Sequence, residues 1–152
     1  MSEFDLIRKI IELSFADKWD NAKKEWSLIE IIEAESPETC LCGHYPIIEL
    51  CELKNNINGN TVIVGNICVK KFLGISSDKI YSTIKKLRKS IENTANIETI
   101  EFLYSKKEIT DWEKEFYSRI ARIRNLSDKQ LKIKIEINNK ILKIIKRKSP
   151  VM

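Results

Sequence analysis

The sequence predicts an α+β fold that is mostly α, in which a small β-hairpin module flanked by helical segments holds four cysteines. Turn-forming residues are scarce, with 4 Gly and 3 Pro in 152 residues, which favours helices with short connections. Apolar residues recur at helical spacing near both ends of the chain. All four cysteines fall between residues 40 and 68. We expect three regions, 1–35, 36–74 and 75–152, packed as one compact unit.

The first region, 1–35, combines helices with one strand. A helix over about 3–15 is predicted from apolar residues at helical spacing, namely Leu6, Ile7, Ile10, Ile11 and Phe15. A second short helix is expected from Asp17 to Glu25. The β-branched run 27–33 predicts a strand, and Ser36-Pro37-Glu38 is expected to end it.

The middle region, 36–74, has the pattern of a hairpin followed by a short helix. Strands are predicted over 47–54 and 60–64. The segment 55–59 between them holds Asn and Gly residues that tolerate a positive φ, as a hairpin turn requires. A helix over 67–72 should end near Gly74. We expect a positive φ at three sharp bends, at Gly43, Gly59 and Gly65.

The third region, 75–152, is predicted to be helical and basic. Helices are expected from Ser77, over 96–105, and from the capping box that begins at Thr110. Residues 131–137 alternate with strand period, so a hairpin is an alternative for 128–146. A helix is favoured there, because Ser127 and Gln130 form a capping box that marks a helix start.

The charge is divided unevenly along the chain. Residues 1–68 contain 6 Lys and Arg against 12 Asp and Glu, whereas residues 69–152 contain 21 against 10. A basic half suits a polyanion such as nucleic acid. No apolar run reaches the roughly 18 residues that span a bilayer, and the first residues are acidic, unlike a secretory signal. We therefore expect a cytoplasmic protein with no membrane partner.

The cysteine cluster predicts one structural Zn²⁺. In an intracellular protein, four clustered cysteines favour a tetrahedral thiolate site. The expected ligands are Cys40, Cys42, Cys51 and Cys68, with His44 as an alternative ligand in place of Cys51. A tight turn at Cys40–Gly43, a hairpin strand and a helix start would make the module treble-clef-like.

The sequence lacks the signatures of common enzymes. It has no phosphate-binding loop, dinucleotide fingerprint, zinc-protease helix or nucleophile elbow. Cys42 and His44 are two residues apart in a tight turn, where their side chains rarely face each other, and no third group is available to orient them. We therefore expect a protein that is not an enzyme.

Part of the chain resembles a small cysteine-rich module of uncharacterised bacteriophage, prophage and bacterial proteins. The resemblance rests on residues 40–47, Cys51, Asn55, 58–60 and 64–72. Residues 110–117 and 126–130 resemble a helical tail often appended to such modules. The resemblance implies a zinc protein of a phage or mobile element, acting in the host cytoplasm, with a helical C-terminus.

Two functions fit these observations. The first is nucleic-acid binding through basic residues. Tyr81, Tyr104 and Tyr117 are candidates for stacking on bases, although each is expected rather to complete the edge of the core. The candidate basic residues are Lys70, Lys71, Lys85, Lys86, Arg88, Lys89, Arg119 and Arg122. The alternative is a phage protein-interaction factor that binds and modulates a host enzyme or defence component. Trp19 and Trp26 are its candidate anchors, although both are expected rather to lie in the core.

Overall fold

A computed structural model of the chain describes residues 2–148 and divides it into two compact units. Of the described residues, 2–77 and 145–148 form the sheet unit, and Asp78–Ile144 form the helical unit. Over the described residues there are seven helices and one four-stranded sheet, and about half of the chain is helical. The α+β class is therefore confirmed. Residues 149–152 of the predicted basic region lie outside the described residues.

The sheet has the strand order β3-β2-β1-β4. Its strands are β1 (Trp26–Glu38), β2 (Ile47–Asn55), β3 (Thr61–Gly65) and β4 (Ile145–Lys148). The predicted hairpin is present as β2 and β3, which pair antiparallel. Its turn closes where the Asn55 backbone N–H donates to the Asn60 carbonyl (2.8 Å), and Gly59 has a φ of +79°.

Two features of the sheet differ from the sequence-based expectation. β1 continues through Pro37. Proline has no backbone N–H to donate to a neighbouring strand, and none is needed here because the register with β2 shifts between Glu33 and Glu38. β1 thus runs across residue 35, where a boundary between regions was expected. β4 was not predicted; it pairs parallel with β1, and Arg147 forms an ion pair with Glu33 (2.8 Å).

The sheet unit also contains three helical segments. They are α1 (Ser2–Glu12), α2 (Trp19–Ala22) with a following 3₁₀ turn, and α3 (Asn66–Cys68), which continues as one π-helical turn, Val69–Leu73. α1 ends three residues earlier than predicted, because the Phe15 backbone N–H donates to the Glu25 carboxylate (2.7 Å) instead of continuing the helix. Gly74 ends the π-helical turn with a φ of +67°, as expected.

The helical unit is built from four helices with well-formed ends. They are α4 (Ser77–Lys89, whose first residue belongs to the sheet unit), α5 (Ile97–Ser105), α6 (Asp111–Ile120) and α7 (Asp128–Ile144). The capping box of Thr110 and Glu113 is present. Ser127 and Gln130 exchange reciprocal bonds of 3.1 and 3.0 Å at the start of α7, so the favoured helix, rather than a hairpin, occupies this segment.

The core of the helical unit combines apolar side chains with one buried polar centre. Fully buried residues include Ile84, Leu87, Ile100, Leu103, Ile137 and Ile141. The Tyr117 hydroxyl donates to Asn138 Oδ1 (2.7 Å) and accepts from the Ala95 backbone N–H (2.8 Å). Among the residues that the structure describes, no helix is both long and apolar enough to cross a membrane.

Candidate metal centre and basic surface

The loop that precedes β2 folds into a tight knuckle around two cysteines. The Cys40 backbone N–H donates to the His44 carbonyl, and the Gly43 N–H donates to the Cys40 carbonyl, each at 2.8 Å. Gly43 has a φ of +94°, which a residue with a Cβ adopts only at a cost. The His44 backbone N–H also points at Cys42 Sγ (3.5 Å). The knuckle therefore already directs a backbone donor at a cysteine sulfur.

The third cysteine comes from α3. The sulfurs of Cys40, Cys42 and Cys68 all lie within 4.8 Å of one another, and those of Cys42 and Cys68 are 3.2 Å apart. In a tetrahedral zinc site with Zn–S bonds of about 2.3 Å, two sulfurs are about 3.8 Å apart. Cys40 and Cys42 are buried and Cys68 is half-buried. The three thiols are thus close enough and shielded enough to hold a metal ion, with the Cys42 and Cys68 sulfurs somewhat nearer each other than in a zinc site.

Gly65 shows a second way in which the backbone supports this cluster. Its N–H donates to Cys40 Sγ (3.2 Å). Its φ is −62°, so the prediction of a positive φ is confirmed for Gly43 and Gly59 but wrong for Gly65. Glycine fits here because of space: a Cβ at this position would make tight contacts of 3.2 Å with Cys40 Sγ and 3.1 Å with Ile47 Cδ1.

The thiols of the cluster differ in acidity. Burial raises the pKa of Cys42, but hydrogen bonds to its sulfur from the His44 N–H and the Cys68 thiol outweigh burial, so the pKa lies below its usual 9.0. Burial raises the pKa of Cys68, and donation of its proton to Cys42 raises it further. The cluster therefore favours a thiolate at Cys42 over one at Cys68.

The structure does not place Cys51 or the His44 side chain in this group. Cys51 is fully buried on β2, opposite Val64 and Ile31, and its Sγ lies 4.0 Å from Asn66 Oδ1. Burial raises the pKa of the Cys51 thiol to about 12. His44 is exposed. Three of the four predicted cysteine ligands are thus brought together, and the identity of a fourth ligand stays a prediction.

The predicted basic residues belong to both units. On α4, burial of Ile84 and Leu87 leaves Lys85, Lys86, Arg88 and Lys89 exposed, and Arg119 and Arg122 are exposed at and beyond the end of α6. The helical unit has 16 Lys and Arg against 10 Asp and Glu, a net charge of +6. Lys70 and Lys71 are exposed on the π-helical turn of the sheet unit.

Burial decides which of the aromatic candidates could contact a base. Tyr81 and Tyr117 are buried and cannot stack on bases, whereas Tyr104 is partly exposed and its hydroxyl donates to Asp111. Trp112 is 53% exposed and stacks on Phe116 at 5.1 Å between ring centroids. Its place in the first turn of α6 is the signal that could have indicated this exposure.

The two tryptophans proposed as anchors for a protein partner lie in the sheet unit. Trp26 is buried and its indole N–H donates to Ser14 Oγ (2.8 Å), so it is not a surface anchor. Trp19 is half-buried.

No protein-family model matches the chain, and no curated protein or solved structure shows significant similarity to it. The resemblance to phage modules therefore stays a prediction.

Proposed function

We propose that the sheet unit binds one structural Zn²⁺ through Cys40, Cys42 and Cys68. The proximity of the three sulfurs, all within 4.8 Å, carries this proposal. Three thiolates form a soft donor set that suits Zn²⁺, and backbone N–H groups next to two of the sulfurs would stabilise their negative charge. The ion would join the knuckle to the start of α3, beside the β2–β3 hairpin, as in a treble-clef module. Its role would be structural, not catalytic.

Two side chains are candidates for the fourth ligand. His44 follows the knuckle and is exposed, so its imidazole is free to rotate, whereas Cys51 is packed among core residues of β1 and β3. We expect His44→Ala to weaken Zn²⁺ binding by about tenfold or more if His44 is a ligand. Substitution Cys51→Ala would leave the affinity unchanged in that case. The opposite pair of results would assign Cys51.

For the role of the whole chain, we propose nucleic-acid binding by the helical unit of a zinc protein of phage or mobile-element type. Three observations support it: the net charge of +6 of the unit, the exposed basic side chains on α4 and after α6, and the exposed ring of Trp112. Basic side chains attract phosphates in any sequence, and an exposed indole stacks on unpaired bases.

A salt titration tests this role. Fluorescence anisotropy should show binding of single-stranded oligonucleotides that weakens linearly in a double-logarithmic plot. The double substitution Lys86→Gln and Lys89→Gln should lower the slope by about 0.7 for each phosphate that a lysine no longer neutralises. As a control, Lys18→Gln and Lys54→Gln, exposed lysines of the sheet unit, should leave the slope unchanged. Binding that is absent or independent of salt would contradict the proposal.

A second candidate role is modulation of a host enzyme or defence component by direct protein contact. It is favoured by large apolar side chains that the sheet unit exposes to solvent, with Phe15 76% and Ile67 74% exposed. Exposed apolar side chains become binding anchors when a partner covers them. Under this alternative, Phe15→Ser and Ile67→Ser would abolish a stable complex with a purified host protein, and substitution of Lys86 and Lys89 would not.

A further inference from the structure

The helical unit contains a polar cleft that the proposals above do not use. It has a volume of about 390 Å³, within the range of small-molecule sites. The loop after α6 and the first turns of α7 form most of its wall, and Glu92, from the segment between α4 and α5, completes it. The lining residues are Glu92, Ile123, Arg124, Asn125, Leu126, Leu131 and Lys134.

Lys134 is the unusual member of this lining. Its side chain belongs to α7 and the residue is only 7% exposed, although lysine is almost never fully buried unless it is paired. Its ammonium makes one hydrogen bond within the described residues, to the neutral hydroxyl of Thr94 (2.8 Å). An ammonium has three N–H donors, so two of them are left for a ligand or water.

The electrostatic environment of Lys134 is incompletely balanced. Burial lowers the pKa of Lys134, and the negative charge of Glu92 opposes this effect only in part. Arg124 adds a second positive charge to the lining, so the cleft residues carry a net charge of +1. A buried cation with one neutral hydrogen-bond partner is stabilised by an anion that enters the cleft.

We propose that this cleft binds a nucleotide through its phosphate group, with Lys134 and Arg124 as the phosphate ligands. The guanidinium of Arg124 offers the paired N–H donors that match phosphate oxygens, and Lys134 supplies a point charge. Ile123, Leu126 and Leu131 are the apolar members of this mainly polar lining and would contact the sugar and base. A volume of about 390 Å³ exceeds what phosphate alone fills and suits one nucleotide unit.

This inference deepens the proposed nucleic-acid binding and rests on it for the source of the nucleotide. The nucleotide is either one unit of a single-stranded chain or a free mononucleotide, since both carry the same phosphate chemistry. Glu92 is the one acidic residue of the lining, and its charge should disfavour phosphate. Glu92→Gln should therefore tighten binding, by about two- to fivefold.

Isothermal titration calorimetry of the full chain with three probes tests the proposal. Adenosine 5′-monophosphate should bind, inorganic phosphate should bind more weakly, and adenosine should not bind. Lys134→Met keeps the apolar stem and should weaken binding of the monophosphate by about tenfold or more, the loss of a charge-assisted hydrogen bond. Lys143→Met, an exposed lysine on the same helix, is the matched control and should bind like the wild type.

A second variant distinguishes a loss of binding from a folding defect. Arg124 is exposed, so Arg124→Gln should preserve the fold and still weaken the monophosphate by about five- to tenfold. Equal binding of adenosine and its monophosphate, or wild-type affinity in Arg124→Gln, would overturn the proposal. If Arg124→Gln weakens the monophosphate but leaves salt-dependent binding of a single-stranded oligonucleotide intact, the occupant of the cleft is the free mononucleotide and not a unit of the chain. If the wild type bound the monophosphate but no oligonucleotide, the cleft would stand as a mononucleotide site and the proposed nucleic-acid role would fail.

Discussion

Different interactions stabilise the interior of the sheet unit and the interior of the helical unit. In the helical unit, local signals agree with the fold: α5, α6 and α7 begin at side-chain caps, and apolar stripes form one core. In the sheet unit, distant segments meet through polar groups. The Glu25 carboxylate accepts from Asn55 and from the Phe15 and Ala16 backbones, and three thiols from two segments converge. The sheet unit is therefore the part whose stability should depend on a metal ion.

Metal removal should produce the largest difference between the two units. Structural Zn²⁺ contributes about 10 to 16 kcal/mol in small zinc modules at pH 7, so chelation should unfold the knuckle and hairpin. Hydrogen exchange should show loss of amide protection over 47–65 and unchanged protection over 128–144. The substitution Cys68→Ser should reproduce this pattern without a chelator. Equal loss of protection in both segments would show that the units do not differ in this way.

A cavity in the core of the helical unit should destabilise that unit and leave the sheet unit unchanged. Ile137 is fully buried on α7, so Ile137→Ala should lower the free energy of unfolding of the helical unit by about 2 to 5 kcal/mol. Ile97→Ala, at a half-exposed position on α5, is the control and should change it by less than about 1 kcal/mol. Urea denaturation followed by circular dichroism measures both. Zinc stoichiometry should remain at one per chain in each variant. A loss of zinc from Ile137→Ala would contradict the expectation that the two units are stabilised independently.

Within the sheet unit, two glycines separate metal binding from backbone strain. Gly65→Ala places a methyl group against Cys40 Sγ and removes no turn, so Zn²⁺ affinity should fall by about tenfold. Gly59→Ala strains a positive φ in the hairpin turn, although the added Cβ would meet no atom within 4 Å. It should cost about 1 kcal/mol of stability and leave the Zn²⁺ affinity unchanged. Competition with a chromophoric chelator measures the affinities. Equal affinities in the two variants would remove Gly65 from the support of the site.

The smallest expected effect concerns acid stability. The hydrogen bond from Asn55 lowers the pKa of Glu25 below 4.5; burial opposes this, while the Phe15 and Ala16 N–H groups lower it further. Because the pKa is lower in the folded state, the stabilisation is present above about pH 4.5 and is lost as the pH falls through the folded-state pKa. Glu25→Gln should thus destabilise the zinc-loaded sheet unit as much at pH 5.5 as at pH 7, because the carboxylate stays charged at both; at lower pH the thiols would be protonated and release the zinc. Urea midpoints at the two pH values in excess Zn²⁺ measure this, and a difference that disappears at pH 5.5 would argue against it.

The elements that could be predicted from sequence are those with local signals. The capping boxes at Thr110 and Ser127 mark helix starts, and the Asn- and Gly-rich turn at 55–59 marks the hairpin, because each depends on residues a few positions apart. β4 could not be predicted, since four residues after a long helix become a strand only through pairing with β1. The continuation of β1 through Pro37 depends in the same way on its partner strand.

The candidate site was predictable in composition but not in detail. Four clustered cysteines indicated a metal site, and the structure brings Cys40, Cys42 and Cys68 together. The sequence does not show which face of β2 is turned towards the knuckle, and Cys51 packs opposite Ile31 and Val64 in the core. Lys134 gave no signal either, because its burial depends on how α7 packs within the helical unit.

The most direct test of the central claim is a Co²⁺ titration of the reduced full-length chain, followed by competition with Zn²⁺. Thiolate coordination predicts one Co²⁺ per chain, an intense thiolate charge-transfer band, and displacement by one equivalent of Zn²⁺. Cys40→Ser and Cys68→Ser should each abolish tight binding, and Cys51→Ala should do so only if Cys51, and not His44, is the fourth ligand. Absence of stoichiometric metal in the wild type, together with a Cys42–Cys68 disulfide in the protein as isolated, would contradict the account.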